Sequence, residues 1–101
     1  MKINLILTKT TNHMEQETKR TLHQIAKEIC EDHDKQGKSL HYAMVPYIDA
    51  MLEIHSSDPD ATYIYEDART IVMYFLANAS VWKGETARRI KNELKTNYKI
   101  K

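Results

Sequence analysis

Apolar residues recur at helical spacing in four stretches of this chain and at strand spacing in one. Between residues 14 and 34, Leu22, Ile25, Ala26, Ile29 and Cys30 fall at i, i+3, i+4, i+7 and i+8, the repeat that places side chains on one face of a helix. The spacing predicts a first helix over residues 14–34, with Thr11 or Asn12 as its N-cap and Gly37 closing its end. Pro46 suits the first residue of a second helix, because the opening turn has no use for its missing amide. That helix is predicted to reach about His55, and its apolar set of Tyr47, Ile48, Ala50, Met51, Leu52 and Ile54 is broad rather than a single stripe. Residues 56–60, Ser-Ser-Asp-Pro-Asp, then break the pattern as a loop.

Over residues 63–79, Ala68, Ile71, Val72, Phe75, Leu76 and Ala79 keep helical spacing, while Met73, Tyr74 and Ala77 make the other side apolar too. A helix apolar on nearly every face is expected at the centre of its domain. The β-branched and aromatic content at residues 71–75 also suits a strand, and the length of the pattern selects a helix. A fourth helix is predicted over residues 85–98, with Ala87, Ile90 and Leu94 inward and Arg88, Lys91 and Lys95 outward. Only the first stretch differs, since Ile3, Leu5 and Leu7 alternate with polar neighbours as a strand does. The expected fold is therefore mostly α, a compact bundle of about four helices over residues 14–101. Residues 1–13 form a short strand, an extended arm or a disordered lead-in.

Length and composition keep this picture within one domain. The chain has 101 residues, 42% of them apolar and 29% charged, an ordinary globular balance that excludes a disordered chain. Charge alters the picture more. Residues 83–101 hold seven Lys and Arg against Glu85 and Glu93, a balance of +5, whereas the first 82 residues carry −4. An acidic body thus precedes a basic last helix. The lone Cys30 has no partner for an internal disulfide, and no apolar run is long enough to span a bilayer or to read as an export signal. These features lead to the expectation of a cytoplasmic protein with no membrane partner.

Candidate chemistry is sparse. Five histidines, His13, His23, His33, His41 and His55, accompany Cys30, and Cys30 with His33 could reach one ion from the first helix. No second close pair of ligands completes a structural metal site, so no metal or cofactor is expected. Cys30 falls on the predicted core face, where burial suppresses the thiolate. The acid pairs Asp32 with Asp34 and Glu66 with Asp67 lie at predicted helix ends, where solvation or the helix dipole accounts for them as well as acid–base catalysis does. The chain has no glycine-rich phosphate loop, no nucleophile elbow and no His-Glu-x-x-His pair, and no catalytic residue is assigned.

Two features point towards binding. Residues 78–91 join the third and fourth helices through Gly84, loosely like a helix-turn-helix. In that arrangement Arg88, Lys91, Asn92 and Lys95 would face a groove, although Ser80 and the long apolar preceding helix fit it poorly. An anion or nucleic-acid surface would use Lys83, Arg88, Arg89, Lys91 and Lys95, with Trp82 or Tyr98 as stacking platforms, and a solvated basic face is the alternative. Six tyrosines against one phenylalanine, together with five methionines, suit half-buried positions and interfaces, Tyr47 and Tyr74 among them.

The runs Ala43-Met44-Val45-Pro46-Tyr47-Ile48-Asp49-Ala50-Met51, Ile71-Val72-Met73-Tyr74-Phe75-Leu76-Ala77-Asn78-Ala79-Ser80 and Trp82-Lys83-Gly84-Glu85-Thr86-Ala87-Arg88-Arg89-Ile90-Lys91-Asn92-Glu93-Leu94-Lys95 resemble small uncharacterised helical proteins of bacteriophages and prophages. The resemblance covers about residues 42–95 and brings no established activity. It implies a context in which small proteins bind a host enzyme, a defence component or its signal molecule. The expectation is a non-enzymatic binding protein, a dimer or other homo-oligomer. It engages a host or phage protein, or itself, through a Tyr/Met-rich surface, with nucleic-acid or nucleotide binding by the last helix as the alternative.

Overall fold

A computed structural model describes residues 19–100. Four helices carry this part of the chain: α1 (Leu22–Lys35), α2 (Val45–Leu52), α3 (Ala68–Ala77) and α4 (Glu85–Asn97). A hairpin of β1 (Thr62–Tyr63) and β2 (Glu66–Asp67) stands between α2 and α3. The proposed N-terminal arm, Thr11, Asn12 and His13 all lie outside the described residues.

The first helix begins later than its apolar spacing suggests. Thr21 is extended, and it makes a reciprocal cap in which its hydroxyl accepts the Gln24 N–H at 3.1 Å while its own N–H donates to Gln24 Oε1 at 2.8 Å. The remaining exposed amides of the first turn find the loop after α2, with Leu22 N–H donating to Ser56 O at 3.1 Å and His23 N–H to Ile54 O at 2.9 Å. Lys19 and Arg20 are therefore outside the helix, and the part of the expected helix over residues 14–18 lies outside the described residues.

Pro46 lies in the first turn of α2 as expected, but the helix ends at Leu52, before Ile54 turns its carbonyl towards His23. The third helix is also shorter than its pattern. Thr62 pairs with Asp67 and Tyr63 with Glu66, and the Asp67 carboxylate then caps α3 by accepting the Thr70 N–H at 2.8 Å. The Thr70 side chain, then its backbone N–H, and the charge of Arg69 hold the Asp67 carboxyl below its ordinary value. Residues 71–75 are helical, not a strand.

Packing places α1 between α2 and α4, with α3 docked on α2. The inner helices are thus α1 and α2, each packed between two others, and not α3. Leu22, Ile25 and Ile29 of α1 meet Ile48 and Met51 of α2, Val72 and Phe75 of α3, and Ile90 and Leu94 of α4 in one buried cluster. Each such side chain contributes about 1.5–3 kcal/mol by leaving water. The turn into α4 needs Gly84, whose φ of +114° disfavours any side chain. At the other end of α4, Lys99 takes a left-handed φ of +56° and the Ile100 N–H returns to Lys95 O at 2.9 Å, a C-cap usually given to glycine.

Candidate functional site

The basic residues of the last helix separate into two groups. The Lys91 ammonium donates to the carbonyls of Ala79 and Trp82, each at 2.7 Å, and lies 5.7 Å from the centroid of the Trp82 ring. Burial, followed by the neighbouring charges of Lys83 and Lys95, lowers its pKa. Lys91 therefore closes the turn between α3 and α4. Arg89 donates to Glu28, which also receives Arg20 at 2.8 Å, and Arg20 reaches both oxygens of Glu93 at 3.0 and 2.7 Å. This ion network ties the segment before α1 to α1 and α4. Lys83, Arg88 and Lys95 are exposed and form no ion pair among the described residues. Arg88 and Lys95, with Glu85, Arg89, Lys91 and Asn92, line a shallow groove of about 590 Å³ along α4.

The two aromatic residues assigned to stacking are not available for it. Trp82 is buried between His33, at a ring distance of 5.6 Å, and Phe75 at 6.3 Å, and its Nε1–H donates to Asp32 Oδ2 at 2.9 Å. Tyr98 is 1% exposed, its hydroxyl has no hydrogen-bond partner among the described residues, and burial with the charges of Asp58 and Glu93 pushes its pKa up to about 12. Both belong to the core. The turn that invited a helix-turn-helix reading is thus filled by an indole and pinned by Lys91.

Tyr47 and Tyr74 do come together, with ring centroids 5.8 Å apart and planes tilted by 52°. Tyr74 is 47% exposed and continues along α3 with Met73 and Ala77, also exposed, to make an apolar strip edged by Arg69, whose Nη1–H reaches Met73 Sδ at 3.4 Å. Arg69, the one charged residue of α3, turns its Nε–H to Tyr98 O at 3.1 Å. Tyr42, 82% exposed, stacks on His41 at 4.6 Å just ahead of α2.

Among the described residues, no three His, Cys, Asp or Glu side chains gather as metal ligands would. His33 Nδ1 meets Ile29 O at 2.8 Å, and His23 Nδ1 meets Leu52 O at 2.7 Å with its ring stacked on His55 at 4.2 Å. His41 Nδ1 accepts the Ala43 N–H at 3.1 Å. The Cys30 thiol is half-buried, and burial, then Asp34, Asp49 and Glu31, push its pKa up, away from a reactive thiolate.

Sequence reasoning overlooked two features. The Arg20–Glu93 pair joins residues distant in sequence and had no local signal. The Ile64–Tyr65 turn lay inside a stretch assigned to helix, though the run Thr62-Tyr63-Ile64-Tyr65 has the β-branched and aromatic content of a strand. Among the described residues, no helix is long and apolar enough to cross a membrane. No family model, no curated protein and no solved structure matches this chain.

Proposed function

We propose that this chain is a non-enzymatic binding protein that engages a host or phage protein, or a second copy, through the surface built from Tyr47, Met73, Tyr74 and Ala77. The apolar strip on the outer face of α3 carries this reading: Met73 and Tyr74 are exposed on a helix whose Ala68, Ile71, Val72 and Phe75 are in the core. Large, semi-rigid aromatic and flexible thioether side chains gain most when an interface removes them from water. The resemblance of residues 42–95 to phage and prophage proteins, and the lone cysteine, agree with action in the host cytosol.

The test is recovery of partners from a bacterial lysate by the immobilised full chain, against Tyr74→Ser and Met73→Ser variants. The reading expects a defined protein with the wild type and its loss with both variants. If the wild type stays monomeric in light scattering and recovers nothing, or if the variants recover the same protein, the reading fails.

A second reading, anion binding, draws support from Lys83, Arg88 and Lys95, which have no internal ion pair among the described residues. It is weakened because Lys91 and Arg89 are engaged and because Trp82 and Tyr98 are buried. Retention on heparin at low salt that falls with Arg88→Ala and Lys95→Ala would support it.

A further inference from the structure

Two of the three most exposed large apolar side chains among the described residues sit together on one tight turn. Ile64 is 73% exposed and Tyr65 is 96% exposed, and these two residues link β1 to β2. Ile64 also has φ +61°, in the left-handed region that a β-branched side chain opposes and that Gly or Asn adopts readily. Neither property helps folding, since a glycine at position 64 followed by a polar residue would join the same strands with less strain and less apolar exposure. A turn that opposes folding in both respects is accounted for by what it touches.

The surroundings of the turn indicate the chemistry of its partner. Glu66 adjoins the turn, Asp58 and Asp60 precede β1, and all three are exposed. The nearby Arg69 turns its guanidinium to the carbonyls of Tyr98 and Lys99 and to Met73 Sδ, and forms no ion pair with these three carboxylates, so the setting stays net acidic. The tip is an apolar knob in an acidic setting. A complementary surface exists on the same chain: the shallow α4 groove of about 590 Å³, lined by Arg88, Arg89, Lys91 and Lys95 against the one carboxylate of Glu85.

We propose that the Ile64–Tyr65 tip of one molecule docks in the α4 groove of a second copy, with Glu66 facing the Arg88 side of that groove. The charge division between the first 82 residues, at −4, and residues 83–101, at +5, favours this head-to-tail orientation over a symmetric one. Two different surfaces meet, so association continues into a ring or an open chain instead of stopping at a two-fold dimer. The contact is small, so it is weak and depends on concentration.

Sedimentation of the full chain from micromolar to millimolar concentration, in low and in half-molar salt, tests this. The average mass should rise past that of a dimer in low salt and fall in high salt. Tyr65→Ala and Ile64→Gly should each weaken association by about tenfold. Ile64→Gly should also raise the unfolding midpoint, which separates loss of contact from loss of fold. Glu66→Arg and Arg88→Glu should each be monomeric alone, yet associate when mixed, because each variant then supplies the complement of the other. A monomer at every concentration, association that survives Tyr65→Ala, or a mixture that stays monomeric would overturn the proposal. Association lost with Tyr74→Ser but not with Tyr65→Ala would overturn it and favour the α3 face instead.

Discussion

Along the seam between α1 and α4, Arg20, Glu28, Arg89 and Glu93 answer one another's charge, and Lys91 covers two turn carbonyls above a buried indole. The hairpin and the outer face of α3 are arranged the other way, with Ile64, Tyr65, Met73 and Tyr74 in water and one residue in a strained backbone conformation. The difference teaches where to look for function. Among the residues with the greatest apparent chemical potential, Trp82 ahead of the last helix and Arg89 and Lys91 within it are occupied in holding the fold. The residues with little apparent chemistry, Ile64, Tyr65, Met73 and Tyr74, are the ones left exposed to solvent.

The largest expected effect breaks the occupied side. Trp82→Ala removes an indole packed on His33 and Phe75, deprives Asp32 of a donor and takes the ring from beneath Lys91, and it should cost about 3–5 kcal/mol in a urea titration. A loss below about 1 kcal/mol would mean that the indole is not a core residue.

Glu28→Gln should cost about 1 kcal/mol at neutral pH, a modest value because Arg89 is half exposed. Partial burial works to raise the Glu28 carboxyl, but hydrogen bonds from Arg89 and Arg20 outweigh it and hold the pKa below its ordinary 4.5. A carboxyl lowered in this way contributes its full stability above the ordinary value and loses it as pH falls through the folded value. The gap between wild type and Glu28→Gln should therefore close on acidification. A gap that is constant across that range would show that the network carries no charge-dependent stability.

On the other side of the comparison the sign reverses. Ile64→Gly should stabilise the monomer by about 1 kcal/mol by relieving a left-handed β-branched residue, and Lys99→Gly at the end of α4 should do so by a smaller amount. Thermal unfolding of both variants measures this, and destabilisation by Ile64→Gly would remove the argument from strain. The smallest effect is expected at Tyr98→Phe, which deletes a buried hydroxyl without a hydrogen-bond partner and should stay within about 0.5 kcal/mol of wild type.

Several parts of this molecule were legible without coordinates. The inward stripes Leu22-Ile25-Ala26-Ile29 and Ala87-Ile90-Leu94 are buried as their spacing implied, because a helix of 3.6 residues per turn can present such a stripe in only one direction. Pro46 marked the start of α2, since the ring constrains the backbone wherever it occurs. Element ends were harder to read. The Thr21–Gln24 box is a local signal that the continuing polar pattern upstream obscured, and the hairpin before α3 competes with helix over the same residues.

What the sequence determined by itself was the helical class, the inward faces and the segregation of positive charge into residues 83–101, all of them consequences of short-range geometry or composition. Tertiary structure decided which helices lie inside, which cations remain exposed and which aromatics face water. Lys91 and Lys95 look alike in sequence, yet only Lys91 lies within reach of the Ala79 and Trp82 carbonyls. Tyr98 and Tyr65 are likewise the same side chain at opposite extremes of burial. Those outcomes depend on contacts between residues distant in sequence, and a periodic pattern contains no record of such distances.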